Sequence, residues 1–363
     1  MKKLLIVGFA KLSYMPYLNF YLEALEKANV EIHVVSWRRD SEEDDCTQNT
    51  RIILHEFTQN QKDEVAKVSK IGNFMKYRKF VMRLLKKEHF DRIIVLHTLP
   101  AVLIADKLLF RYRERFIFDY RDYTYEDYVL FKIVIGKLVK NSYATFVSSD
   151  AFRSALPKLE KIYTSHNLLV DSLDHKDVRS EQNRNHKPLR IAFWGFIRHE
   201  KINKEIICKL GGDARFELHY YGREQKTAWY LKDLAKNEGF SNVFFHGTYL
   251  PQARYEFASQ TDLIHNMYEN DAGTRRAMGN KYYDGIIFRI PQLCTVNSYM
   301  GDRITKENVG LAVDACSECF AEQIEDYYGK IDWDEFNRAC DAAAENVVKE
   351  YETGKLIVRS LVE

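Results

Sequence analysis

The sequence predicts an α/β chain of two Rossmann-like domains facing each other across a cleft, and three observations lead there. Strand and helix patterns alternate from the first residues onward. The alternation stops once, in a polar stretch near the middle, and then begins again. The length of 363 residues suits two domains better than one.

The elements follow in order. Met1 to Phe9 reads as a buried strand, its LLIV an apolar run without alternation. After the tyrosine-rich KLSYMPY, Leu18, Leu22 and Leu25 recur at helical spacing and predict a helix to about Ala28. Glu31 to Trp37 is the second strand, and SWRRDSEEDD after it reads as a solvated loop. Arg51 to Phe57 is the third strand. Val65 to Glu88 sets Lys67, Lys70, Lys76, Arg78, Lys79, Arg83, Lys86 and Lys87 among Ile71, Phe74, Phe80, Val81 and Leu84, a basic amphipathic helix suited either to covering a sheet or to lying on an anionic membrane.

Asp91 to Leu96 is the next strand and ends at His97, with Thr98 and Pro100 opening a helix. Arg115 to Tyr120 follows and ends in Arg121-Asp122. A helix over 126–141, a strand over 143–148 and a short strand ending in Thr164-Ser165-His166-Asn167 complete a first domain, residues 1–170. Residues 171–188, DSLDHKDVRSEQNRNHKP, are polar without periodicity and read as the linker.

The second domain, 189–363, restarts with the strand Leu189 to Phe196, a turn and helix, and strands over 216–222, 242–247 and 262–268. Asn280-Lys281-Tyr282-Tyr283-Asp284-Gly285 reads as a short helix followed by an apolar strand, with PQLCTV from Pro291 as the fifth strand. Trp333 to Tyr351 is helical, with Phe336, Cys340, Ala343 and Val347 on one side, and is expected to pack back on the first domain.

Composition narrows the function classes. Residues 1–190 hold 33 Lys+Arg against 25 Asp+Glu and the remainder 21 against 27, so the first half faces an anionic ligand or surface better than the second. No nucleic-acid-binding motif is present. The six cysteines are scattered and mostly in apolar surroundings, as in reduced cytoplasmic proteins. Cys316-Ser317-Glu318-Cys319 is a lone C-x2-C without the further ligands that structural zinc needs, so no metal is expected. LLIVGFA is too short for a signal peptide, and the run from Ile93 to Phe110 is broken by His97, Pro100, Asp106 and Lys107 and cannot span a membrane. The G-x-S-x-G elbow, the P-loop, H-E-x-x-H and a complete G-x-G-x-x-G are all missing.

Open α/β sheets bind ligands at the carboxyl ends of their strands, which singles out His97, Arg121 and Asp122. The alternatives are a histidine bonded to backbone and an Arg121–Asp122 ion pair internal to the turn. Lys281 beside the amino end of a helix suits an anion, and Asp284 one turn on suits two sugar hydroxyls.

The pieces GF near the amino terminus, VLHTLP, DYRD, SHN, FWGFIRHEK, YYGRE, NVFFHG and NKYYDGIIFRIPQL, in this order and spacing over nearly the whole length, resemble a GT-B glycosyltransferase. The second half is similar to the large group of nucleotide-sugar-dependent, mostly retaining, bacterial polysaccharide glycosyltransferases. The resemblance implies sugar transfer from a nucleoside-diphosphate donor, without a metal or other cofactor, to a saccharide or lipid-linked saccharide. It implies that Arg198 and Lys201 hold the donor diphosphate and stabilise the leaving group's charge. Gly222, Arg223, Thr248 and Tyr249 fall where the family binds the nucleobase, and Asn280, Lys281 and Asp284 fall at the rest of the donor site. His97 matches a histidine contacting the donor sugar, and Asp122 is placed to orient the acceptor, or to act as base if the reaction inverts. The family's second acid, eight residues before Asp284, is here Arg276, with Glu269 and Asp271 as the nearby substitutes.

The expected setting is cytoplasmic, with peripheral contact to an anionic inner membrane face and no nucleic acid partner. A nucleotide-sugar 2-epimerase of the same architecture and a non-catalytic relative are the competing readings.

Overall fold

The computed structural model describes residues 1–39, 51–61, 67–123, 125–176, 178, 187–250 and 252–363, without the side chains of 67–69. Cys46, the acidic part of SWRRDSEEDD, the start of the 65–88 segment and residues 177 and 179–186 of the polar stretch lie outside the described residues. The chain divides into two compact units, Met1–Asn167 with Lys349–Glu363, and Leu168–Val348.

In the first unit, β1 (Lys2–Val7), β2 (Val30–Arg38), β3 (Ile52–Thr58), β4 (Arg92–Leu96), β5 (Phe116–Tyr120), β6 (Ala144–Val147) and β7 (Ile162–Thr164) form a parallel sheet in the order β3-β2-β1-β4-β5-β6-β7. The apolar runs of the central strands are buried on both faces, which is why they show no alternation. On one face lie α2 (Lys67–Lys87), α3 (Thr98–Leu103), α4 (Ala105–Phe110) and α5 (Val129–Asn141), joined through Tyr77, Leu108 and Leu138 to Trp37, Val95 and Phe118 of the strands. Against the other face Phe20 of α1 (Leu18–Ala24) meets Phe146 and Tyr351 edge to face.

The second unit has β8 (Leu189–Trp194), β9 (Phe216–Tyr221), β10 (Val243–Gly247), β11 (Leu263–His265), β12 (Gln292–Thr295) and β13 (Gly310–Val313), all parallel, in the order β10-β9-β8-β11-β12-β13. Its helices are α6 (Glu200–Leu210), α7 (Lys226–Asn237), α8 (Ala253–Ser259), α9 (Asn280–Ile287), α10 (Tyr299–Lys306) and α11 (Phe320–Gly329). Finally α12 (Trp333–Val362) begins in this unit and contributes its residues from Lys349 onward to the first.

Four expectations change. The stretch after Gly285 is not a strand: α9 runs on to Ile287 and the strand starts at Gln292, because the apolar residues of GII complete the buried face of the helix. Strand β13 has too weak an apolar pattern, GLAV, to have been anticipated. The polar stretch opens as a 3-10 turn, Val170–His175, in which Ser172 accepts from Arg254 at 2.7 Å and His175 stacks on Tyr255, so this part is built into the second unit. Among the five described cysteines, Cys208, Cys316 and Cys319 are exposed, and only Cys294 and Cys340 are buried.

In both sheets the strand order reverses beside the first strand, between β1 and β4 and between β8 and β11. The carboxyl ends at these two points are where a ligand of such a sheet binds.

Candidate functional site

In the second unit the loop leaving β8 is shaped by close backbone approach. Gly195 has φ +123° and Gly222 φ +148°, and a Cβ on Gly222 would stand 1.7 Å from the Gly195 carbonyl oxygen. The loop then turns through His199, which is left-handed at φ +64°, into α6. Buried Asn203 holds this turn: its amide donates to the carbonyls of Arg198 and His199 at 2.8 and 2.9 Å, and its oxygen faces His265 Nε2 at 2.9 Å. His265 Nδ1 accepts from the Met267 N–H at 3.2 Å, so Nε2 carries the proton. Burial, reinforced by Lys281 and His199, keeps His265 neutral with its pKa lowered to about 3. The end of β11 thus sets the position of the loop after β8.

Arg198 and Lys201 are exposed on this turn and the first turn of α6. Glu269 accepts the Lys201 backbone N–H at 3.0 Å, a carboxylate on the positive end of the helix. Asp271 Oδ1 instead closes its own turn on the N–H groups of Gly273 and Thr274, both at 2.8 Å. Arg276 reaches the Ala272 carbonyl at 2.9 Å. Between Arg198 and Lys201, the His199 ring lies edge-on to Tyr268, its buried Nε2 has no hydrogen-bond partner, and burial followed by the Arg198 charge lowers its pKa to about 4.

Lys281 is 5% exposed. Its ammonium donates to the Tyr268 hydroxyl at 2.6 Å and to the Trp194 carbonyl at 3.4 Å, and it sits 4.0 Å from the Phe193 ring centre. Among the described residues no carboxylate lies within ion-pair distance of it. Asp284, one turn on, points elsewhere: Oδ2 accepts the Trp194 indole N–H at 2.8 Å, and Oδ1 is 3.6 Å from the Arg254 guanidinium. Burial raises the Asp284 pKa. The residue expected to take sugar hydroxyls is therefore enclosed and occupied by protein groups. Asn280, at the first position of α9, is exposed.

Gly222 lets the strand ends approach, its N–H reaching the Gly247 carbonyl at 2.7 Å. Arg223 and Thr248 are exposed. Tyr249 packs edge-on against Phe257, and burial followed by the nearby Asp284 charge pushes its pKa up to about 12.

In the first unit His97 follows β4 directly, with φ +75°, a strained value for a residue with a side chain. Its Nδ1 faces Asp122 Oδ2 at 2.8 Å and its Nε2 the Tyr17 hydroxyl. With the carboxylate able only to accept, Nδ1 carries the proton and Nε2 accepts from the phenol. Arg121 does not pair with its neighbour Asp122. Buried, it donates to Asp119 Oδ2 at 2.8 Å, Asn167 Oδ1 at 2.6 Å and Ser165 Oγ at 2.8 Å, with its guanidinium 4.2 Å from the Tyr17 ring centre.

The second unit therefore gathers Arg198, Lys201, Lys281 and Asp284 at the ends of β8 and β11, and the first gathers His97 with Asp122. Sequence reasoning missed Tyr17, Trp194, Asn203, Arg254, His265 and Tyr268. Trp194 and His265 looked like strand interior, and nothing in the spacing ties Asn203 to a histidine so far along the chain. Among the described residues no group of three or more His, Cys, Asp or Glu is placed to hold a metal ion.

These two parallel sheets define a GT-B fold of two Rossmann-like units. No family model and no curated protein matches the sequence. Solved structures do match the fold. Sucrose-phosphate synthase from Thermosynechococcus elongatus is similar at a TM-score of 0.70 and 12% identity, covering 99% of this chain and 97% of that one. The HepE protein of Anabaena, in complex with UDP and glucose, gives 0.68 and 12%, covering 97% and 98%. UDP-N-acetylglucosamine 2-epimerase from Rickettsia bellii gives 0.61 and 13%, covering 97% and 98%.

Proposed function

We propose that this protein transfers a sugar from a nucleoside-diphosphate sugar to a saccharide or lipid-linked saccharide acceptor in polysaccharide or glycolipid assembly, with retention at the anomeric carbon. The observation that carries the reading is Lys281: a buried ammonium without a carboxylate partner, at the strand ends where such sheets take their ligands. A charge so placed is costly until an anion joins it, and a diphosphate supplies one. Arg198 and Lys201, exposed at the adjoining helix start, have the mobility and charge to follow the leaving diphosphate as its charge grows.

In this reading the second unit binds the donor and the first the acceptor. His97, oriented by Asp122, acts next to the reacting sugar, and the reaction uses protein cations in place of a metal. The HepE structure, which holds UDP and glucose, supports a uridine nucleotide as the first donor to try.

The fold is also that of UDP-N-acetylglucosamine 2-epimerases, which favours one second reading, isomerisation of the nucleotide sugar itself. Binding of UDP-, GDP- and CMP-sugars, measured by calorimetry, tests the common core, and no binding by any of them overturns it. Incubation of the bound nucleotide sugar alone then separates the two: an altered sugar still attached to nucleotide means isomerisation. Release of nucleotide only when an acceptor is added means transfer, and the anomeric configuration of the product tests retention.

A further inference from the structure

His199 holds a left-handed backbone, φ +64°, which strains any residue with a side chain and which glycine would adopt freely. The Asn203 backbone N–H and side-chain amide both donate to the His199 carbonyl, at 3.2 and 2.9 Å, and keep the turn in place. The strained turn sets the imidazole against Tyr268, with ring centres 5.2 Å apart and planes at 80°. The Tyr268 hydroxyl in turn takes the Lys281 ammonium at 2.6 Å. One tyrosine thus brings the histidine of the β8 turn and the buried cation of α9 together.

The His199 ring is half-buried, and its Nε2 is enclosed without a hydrogen-bond partner. A buried nitrogen in that condition is an unmet polar group. Arg198 on its own turn, Lys281 on α9, and Glu269 and Asp271 on the segment after β11 are the charges that act on it. Neutral His265 lies at the end of β11, and the amino end of α6 adds a positive dipole. Neither acid supplies the missing partner. Glu269 Oε1 accepts the Lys201 N–H, and Asp271 Oδ1 accepts those of Gly273 and Thr274. Burial, and after it the Arg198 charge, keep the ring neutral in the free protein.

We propose that His199 is a third phosphate-binding group of the donor site, neutral while the site is empty and protonated when a nucleoside diphosphate occupies it. Two phosphate charges beside Arg198 and Lys281 offset the repulsion that opposes a proton on the ring. The Nε2–H then donates to a phosphate oxygen, which ends its isolation. Donor binding therefore takes up a proton, and the site gains its third positive charge only with the ligand present. The proposal rests on the nucleotide-sugar reading and adds to it a dependence of donor affinity on pH.

The test uses UDP-glucose and GDP-mannose, whose phosphates are diesters without a proton to exchange near neutrality, so any proton taken up goes to the protein. Free UDP is unsuitable because its terminal phosphate titrates near about pH 6. Calorimetry at pH 6.5 in two buffers of different ionisation enthalpy should show uptake of about half a proton per nucleotide sugar bound. Affinity should rise about fourfold from pH 7.5 to pH 6, as for a group whose pKa climbs on binding from about 4 toward the ordinary value of about 6.5. His199→Asn should abolish the uptake and flatten the pH dependence with an unchanged thermal midpoint, since asparagine tolerates a left-handed backbone. NMR of the wild type gives a second reading that needs no variant to fold: the His199 ring should titrate near neutrality with UDP-glucose present and only in acid without it. Binding without proton uptake, uptake that persists in folded His199→Asn, or a ring titration that the nucleotide sugar does not move overturns the proposal and leaves the sugar-transfer reading standing. Failure of both nucleotide sugars to bind overturns the two together.

Discussion

Trp194 donates its indole N–H to Asp284 Oδ2 at 2.8 Å, fastening the end of β8 to the second turn of α9. Arg254 approaches the other oxygen of the same carboxylate and also reaches Ser172, so one acid joins three separate segments of the second unit. Asp284→Ala would leave an indole N–H and a guanidinium buried without their acceptor. We expect a loss of about 3 kcal/mol in urea unfolding, and a smaller loss for Asp284→Asn, whose amide oxygen still accepts from the indole. A wild-type unfolding midpoint for Asp284→Ala, combined with lost nucleotide binding, would show instead that the acid works on the ligand.

Lys281→Met should behave in the opposite way. Removing a buried ammonium that has no carboxylate partner leaves stability unchanged or improved, while affinity for a nucleoside diphosphate falls about tenfold or more. Lys201→Ala, by contrast, is a surface change that weakens donor binding and turnover together with an unaltered midpoint. Steady-state kinetics beside a denaturation curve check both, and unchanged kinetics in Lys201→Ala would remove that residue from the site.

Acid should weaken the fold through its histidines. The folded-state pKa values of His265 and His199 are lowered to about 3 and about 4, so below pH 6.5 the unfolded chain binds more protons than the folded one. Their contribution is complete above that pH and declines as pH falls through the window beneath it. For fully buried His265 the loss reaches about 2 kcal/mol at about pH 5. His55, His219 and His246, also lowered by burial, act in the same direction. Unfolding free energies measured from pH 7.5 to 5 should fall, and His265→Gln should flatten the slope; a pH-independent free energy would contradict the neutral His265.

Gly222→Ala should be among the most damaging single-methyl additions in the chain. The new Cβ would overlap the Gly195 carbonyl, and φ +148° is closed to other residues. The expected outcome is poor soluble yield or a loss of several kcal/mol, together with lost nucleotide binding. Gly239→Ala, also at positive φ but with open space around it, serves as the control and should cost only about 1 kcal/mol.

The architecture was readable because parallel strands buried on both faces announce themselves as unbroken apolar runs, as in LLIV of β1 and IIVL of β4. GLAV of β13 is too short and too weakly apolar to do so, and GII was misread because a buried helix end and a buried strand share the same composition. His97 and Asp122 could be singled out as strand-end candidates, Lys281 as a cation at a helix start, and Arg198 and Lys201 through the resemblance. Their supports could not. Asn203 and His265 are 62 positions apart, Trp194 and Asp284 90, and Tyr17 and His97 80, and such pairings exist only once the sheet has closed. Burial also reversed the expectation for Asp284, since a carboxylate's availability depends on what folds around it and not on its place in a motif.

The far half of α12 is structural material of the first unit. Lys2 donates to the carbonyls of Val362 and Glu363, Tyr351 donates to Glu23 at 2.9 Å, and His166 meets Glu350 at 2.7 Å. During synthesis this unit must therefore wait, with α12 missing from the side of its sheet that α1 covers, until the whole of Leu168–Val348 has been translated. A nascent chain halted anywhere before Lys349 would present Phe20 and Phe146 without their Tyr351 cover, a surface that holding chaperones recognise.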